Sequence, residues 1–146
     1  MSKILSDFNE NGKVNTNVAQ SILYSDIDLK FQINPITNDV SILTDIGAVK
    51  NSIKNLVLTN FHERPFQPML GSGLIALLFE PAGIYTSIQI KNAITKVINR
   101  YESRATDVTI QINDRSEENG YDITVGFRVF YDDRLNEVEF FLTRLR

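Results

Sequence analysis

Apolar and polar positions begin to alternate at Asp26. Ile27, Leu29, Phe31 and Ile33 fall on one face of an extended segment, and Asp28, Lys30 and Gln32 fall on the other. A period of two predicts a half-buried strand. Asn34-Pro35 ends it, because proline removes a donor and restricts the residue before it. Thr37-Asn38-Asp39 is turn chemistry, and Val40, Ile42 and Leu43 predict a short returning strand, hence a hairpin. Thr44 or Asp45 is placed to cap a helix by accepting from a free backbone N–H. Behind it, Ile46, Val49, Ile53, Leu56 and Val57 recur at spacings of three and four, with Lys50, Asn51, Lys54 and Asn55 outward. That is an amphipathic helix of about four turns.

The pattern then breaks. Residues 61–74 hold Pro65, Pro68, Gly71 and Gly73 and read as an ordered string of turns. Residues 74–79 are apolar and predict a short buried helix ending near Pro81. Thr86 or Ser87 is the expected cap of the next helix, whose apolar stripe is Ile90, Ala93, Ile94, Val97, Ile98 and Tyr101. The last third alternates again, through Val108, Ile110 and Ile112, then Tyr121, Ile123, Val125, Phe127 and Val129, then Val138, Phe140 and Leu142. Residues 113–120 read as a polar connection and Asp132-Asp133-Arg134 as a tight turn. Three sequential antiparallel strands are the simplest arrangement. The expected fold is therefore α+β, a single domain with a mainly antiparallel sheet packed against two principal helices. The pattern leaves open whether the first hairpin joins that sheet. Residues 1–24 are polar with scattered apolar positions and read as an N-terminal arm of weak intrinsic structure preceding a domain over 25–146; such an arm either orders against a partner or has no role.

Composition narrows the chemistry. The 146 residues hold no cysteine and one histidine, His62, which excludes a thiol nucleophile, a disulfide framework and any multi-histidine or cysteine metal site. Net charge is −3, which argues against a general nucleic-acid binder. No apolar run approaches the roughly 20 residues of a membrane span, and Asp7 interrupts what would be a leader's apolar core. Cytoplasmic synthesis and folding are expected, with no cofactor, metal, nucleic acid or membrane partner.

Leu70-Gly71-Ser72-Gly73 lacks the spacing of a nucleophile elbow or a phosphate loop, so its glycines read as backbone permissiveness in a turn. A Ser72–His62 pair is the weakest of the catalytic options. A glycosidase needs two carboxyls about 5–10 Å apart; Glu80, after Leu77, Leu78 and Phe79, is the best candidate acid, but its place before Pro81 also suits a cap or an ion pair. Glu63-Arg64 in the loop and Glu102-Ser103-Arg104 at the end of the long helix are the other deliberate-looking charges. Arginines there suit bidentate pairing, within the chain or with a partner.

The ordered series Arg64-Pro65-Phe66-Gln67-Pro68, Gly71-Ser72-Gly73-Leu74, Leu78-Phe79-Glu80-Pro81 and Tyr101-Glu102-Ser103-Arg104 resembles the baseplate wedge and sheath-initiator family of contractile-tailed phages and related injection systems, which includes the TssE component of type VI secretion. The resemblance covers roughly residues 26–146. The family's Glu-Pro-Arg signature stands here as Glu102-Ser103-Arg104, with serine in place of proline. The resemblance implies a structural, non-enzymatic virion protein, assembled in the host cytoplasm into the tail baseplate, in six copies per ring. It implies that Glu102, Arg104 and Arg64 dock on the wedge core built by other baseplate wedge proteins, and that Pro65, Pro68, Gly71 and Gly73 shape an adjoining structural loop. It also implies that the C-terminal strand, through Leu135, Val138, Phe140 and Leu142, takes part in strand augmentation with the tail sheath protein. A terminal strand at an open edge fits this on physical grounds, since unpaired N–H and C=O groups template an incoming strand. The competing readings are a peptidoglycan-cleaving, lysozyme-like enzyme built on Glu80 and a regulatory adaptor that binds a host protein.

Overall fold

The computed structural model describes residues 22–144. Much of the segment read as an arm, residues 1–21, lies outside these, as do the last two residues. Two strands, β1 (Ser25–Ile27) and β2 (Ile42–Thr44), form an antiparallel hairpin; three helices follow, α1 (Ile46–Leu58), α2 (Leu74–Leu78) and α3 (Ile84–Tyr101). The chain ends in β3 (Ala105–Arg115), β4 (Gly120–Val129) and β5 (Asp132–Thr143), with a 3-10 turn at Ser116–Glu118 between the first two. These three strands make one antiparallel sheet in the order β3-β4-β5, and the β1–β2 hairpin stays separate from it.

The central strand supplies the core. Tyr121, Ile123, Val125, Phe127 and Val129 are all essentially inaccessible and meet Val49, Ile53 and Val57 of α1 and Ile90, Ile94, Val97 and Ile98 of α3. Period two on β4 and period 3.6 on the helices thus present matching apolar faces. On β3, Ala105 and Ile110 are both buried although they lie an odd number of residues apart. A bulge between Thr106 and Thr109, with Asp107 at φ 51°, inserts the residue that restores the phase.

Several expectations need correction. The alternating residues Ile27, Leu29, Phe31 and Ile33 are more than half exposed rather than half-buried. The strand ends at Ile27 because Asp28 turns the chain: its carboxylate accepts from the Lys30 N–H, its carbonyl accepts from the Phe31 N–H, and Phe31 takes φ 50°. A short aspartate offered the backbone an alternative to the ladder.

Asp45 does stand at the start of α1, but its side chain makes no cap bond within the helix. Its carboxylate accepts instead from the N–H groups of Leu23 and Tyr24 at 2.9 and 3.3 Å, fastening the incoming chain. Tyr24, the last residue of the segment read as an arm, packs on the core and meets the Tyr131 ring at a tilt of 41°, centroids 5.8 Å apart. Neither Thr86 nor Ser87 caps α3. The helix starts at Ile84, and the buried Thr86 hydroxyl donates to the Pro81 carbonyl at 2.8 Å.

β3 runs on through Arg115 and β4 begins at Gly120, so half of the expected polar connection is strand and the connection itself shortens to residues 116–119. The last hairpin turns at Phe130-Tyr131, not at residues 132–134, because Asp132 already pairs with Val129.

Candidate functional site

The loop over residues 59–73 is strapped to the C-terminal ends of both long helices. Ser72 is buried, and its hydroxyl donates to the Val57 carbonyl at 2.6 Å, satisfying a carbonyl that the end of α1 leaves open. The Ser72 N–H donates to the Thr59 carbonyl, the His62 N–H to the Pro68 carbonyl, and the Tyr101 hydroxyl to the Met69 carbonyl at 3.0 Å. Glu63 holds the entry turn by accepting from the Asn60 N–H. This bonding gives the Ser72 hydroxyl a structural partner, and His62 is exposed and does not bond to it.

The two loop glycines are required by close approach. Gly71 has φ 142°, and a Cβ there would sit 2.6–2.8 Å from the Thr59 and Asn60 backbone. Gly73 has φ 65° and lies against the Phe61 ring. Pro65 and Pro68 are exposed in the outer turns of the same loop, as is Arg64, whose side chain makes no ion pair among the described residues.

At the α3–β3 corner, Glu102 is 3% exposed and Arg104 grips it bidentately, Nε to Oε1 at 2.5 Å and Nη2 to Oε2 at 2.6 Å. The Ser52 hydroxyl of α1 also donates to this carboxylate. Burial pushes the Glu102 carboxyl up, but the bonds from Arg104 and Ser52 and the Arg104 charge outweigh it and hold it below its ordinary range. The bond to Glu102 raises the Arg104 guanidinium further. Arg104 also lies over the Tyr24 ring, 5.2 Å from its centroid. Ser103 is exposed in a turn, and the Ala105 N–H closes that turn on the Glu102 carbonyl. A bidentate ion pair therefore rigidifies this corner without a proline.

Two apolar clefts flank the Tyr101–Met69 strut. One, of about 430 Å³, lies between α3 and the loop and is lined by Phe61, Met69, Val97, Lys96 and Arg100 among others. The second, of about 400 Å³, lies on the α1 side between Ser52, Leu56 and residues 67–70. Tyr101 lines both clefts and precedes Glu102 in the chain, while Glu102 and Arg104 themselves line neither. Sequence reasoning missed the clefts; exposed Phe61 and Met69 beside two prolines were the only signal for them.

β5 is an outer strand of its sheet. Val138 and Leu142 are buried and Phe140 is half-buried, opposite Val125, Tyr121 and Ile123 respectively. Leu135, of opposite parity, projects from the other face over Gly126 and is 58% exposed. The Arg144 N–H bonds to the Asn119 carbonyl at the strand's end. Counting back by alternation, residues 137, 139, 141 and 143 turn their N–H and C=O groups to the open edge. The side chains of Glu137, Glu139 and Phe141 accompany them, all exposed. Glu80 is half-buried and lines neither cleft; its backbone carbonyl accepts from Arg144 Nη2. Among the described residues no group of three or more His, Cys, Asp or Glu is placed to hold a metal ion.

Comparison with known proteins gives a consistent result. A family model described as "Baseplate wedge protein gp25" matches residues 45–136. The baseplate wedge protein gp25 of Enterobacteria phage T4 is 27% identical over 117 residues, covering 80% of this chain and 86% of that protein. Two solved structures share the fold at lower identity. A protein of Geobacter sulfurreducens assigned as a tail lysozyme superposes with a TM-score of 0.62 at 19% identity, over 67% of this chain and 89% of that one. A chain of the anti-feeding prophage baseplate superposes with a TM-score of 0.54 at 22% identity, over 84% of this chain and 87% of that one.

Proposed function

The chain belongs to the baseplate wedge protein gp25 family, and on that premise we propose that it docks on the wedge core of a contractile tail and starts the tail sheath by strand augmentation. Its place is the tail baseplate of a virion, where it is a structural component assembled with other baseplate proteins. The docking end is the surface around Arg64, the glycine turn and the Glu102–Arg104 corner. Arg64 is free to contact a partner. Glu102 and Arg104 hold the corner in shape, and the accessible part of Arg104 makes the contact itself. The sheath end is β5. The body over 25–146 is the docking domain, and residues 1–24 are the arm that clamps a neighbouring wedge protein. Six copies in a ring would let individually weak contacts add.

The observation that carries the sheath reading is the open backbone edge of β5. Val138 and Leu142 hold the strand from the core side while the N–H and C=O groups of residues 137, 139, 141 and 143 face outward, unpaired with any other described strand. Glu137 and Glu139 on that edge deter indiscriminate pairing. The chain is read as a non-enzyme: Glu80 lines neither cleft, and the likeness to a tail lysozyme is one of fold.

The test uses Glu139→Pro, which removes an outward donor but no core side chain. Removing β5 altogether would take Val138 and Leu142 with it and unfold the domain. Baseplates carrying the wild type or the Glu139→Pro variant are mixed with purified sheath subunits and sheathed tails are counted by electron microscopy. Assembly of variant baseplates without sheath is expected. Equal sheath growth on both would sink the strand-donor reading.

A further inference from the structure

The two long helices carry positive charge only. Lys50 and Lys54 lie on α1, Lys91, Lys96 and Arg100 on α3, and neither helix contains an acidic residue. The chain as a whole has a net charge of −3, so its acid is concentrated elsewhere, on the hairpin and on strands such as β5. This separation gives the helical side a field of one sign.

Two of these cations border the larger cleft. Lys96 and Arg100 are four residues apart and therefore share one face of α3. Both are exposed, and neither forms an ion pair among the described residues. Arg100 lies 5.3 Å from the Tyr101 ring centroid, a contact that leaves its charge unneutralised. Val97 forms the floor between them. Phe61 and Met69, 47% and 66% exposed, form the opposite wall, and no acidic residue lines the cleft. From Asn92 to Arg100 this edge runs along the helix for about 12 Å, the length of roughly two helical turns.

An apolar trough of that length with cations along one rim matches an amphipathic helix whose apolar side chains recur at three and four and whose flank carries Asp or Glu. We propose that this cleft receives an acidic amphipathic helix of a partner baseplate protein, its apolar side chains against Phe61, Met69 and Val97 and its carboxylates on Lys96 and Arg100. The inference rests on the wedge-core docking reading and names the partner's chemistry at that surface. The helix lies beside the Tyr101–Met69 strut, next to the Glu102–Arg104 corner.

The experiment measures binding of the full chain to wedge-core subunits purified from the same phage, at about 50 and about 300 mM salt. The variant is Lys96→Glu/Arg100→Glu, whose exposed, unpaired positions leave the fold intact, checked by thermal melting. Arg64→Glu serves as the reference for docking outside the cleft. The expected result is an affinity loss of about tenfold or more for the double variant, and a several-fold loss for the wild type as salt rises. Wild-type affinity of the double variant, with binding weakened in Arg64→Glu, would keep the docking reading and overturn the cleft. Salt-independent binding would overturn the acidic chemistry. No binding by the wild type would overturn both readings. Retention of the chain on a DNA duplex or on anionic vesicles, lost in the double variant, would assign the cations to another polyanion and overturn the proposal.

Discussion

The helix-end surface and the β5 edge both face solvent, but they are built on opposite principles. At the helix ends backbone groups are tied up by side chains: Ser72, Tyr101 and Glu63 satisfy loop and helix groups, and Gly71 lets two backbones touch. On the docking proposal, recognition there falls to side chains, cationic around an apolar floor. At β5 the side chains facing the core are committed and the backbone is the free element, flanked by acid. A surface of the first kind selects a partner by charge and shape. One of the second kind accepts any extended strand unless repelled, so on the strand-augmentation proposal its selectivity would come from Glu137, Glu139 and the assembly around it. The contrast also separates rigidity from availability, because the first surface depends on exact packing and the second does not.

Gly71→Ala should show the greatest sensitivity on the helix-end side. The new Cβ would press on the Thr59 and Asn60 backbone at a φ that L-residues avoid, and a loss of about 3–4 kcal/mol is expected in urea titration. Arg104→Ala comes next, at about 2–3 kcal/mol, because it strands a buried carboxylate; Arg104→Lys, which keeps the charge but not the fork, should cost about 1 kcal/mol. Loss of baseplate incorporation in Arg104→Lys with near-native stability would isolate a docking role from the bracing one.

Acid should discriminate the two regions as well. Glu102 is depressed below its ordinary value of 4.5, so its contribution is complete above that pH and is lost as pH falls through the lower, folded-state value. Stability measured downward from pH 5 should therefore decline more steeply in the wild type than in Glu102→Gln; parallel curves would contradict the geometry of the corner. The smallest effect on stability belongs to β5. Glu137→Val/Glu139→Val should change it by no more than about 0.5 kcal/mol while shifting the protein to oligomers in sedimentation. A variant that stays as dispersed as the wild type would show that the acids do not guard the edge.

Much of this was legible from periodicity. The stripes of α1 and α3 and the alternation of β4 are the observed core, because buried faces force the pattern. The glycine turn and the charged corner were visible as residues, and the structure fastens the loop to Tyr101, the residue before the corner, through Met69. Local polar chemistry was not legible. Asp28 and Asp45 each had two uses open to a short carboxylate, and tertiary position decided between them: one turns the chain, the other fastens Tyr24. The alternation over residues 27–33 misled because period two records only a possible strand, and nothing among the described residues covers that face. Leu135 illustrates parity: it belongs to the same strand as Val138 and Leu142 but to the opposite face. The bidentate grip of Arg104 on Glu102 could be named as an option from the sequence, whereas its burial and its support from Ser52 depend on how α1 meets the corner.

The most direct test of strand augmentation is amide hydrogen exchange at residues 137, 139 and 141, in baseplates before and after sheath addition. The account predicts fast exchange at these outward amides before sheath addition and strong protection afterwards, with the inward-bonded amides of Val138 and Phe140 slow in both. Exchange at the outward amides that sheath addition leaves unchanged would contradict it.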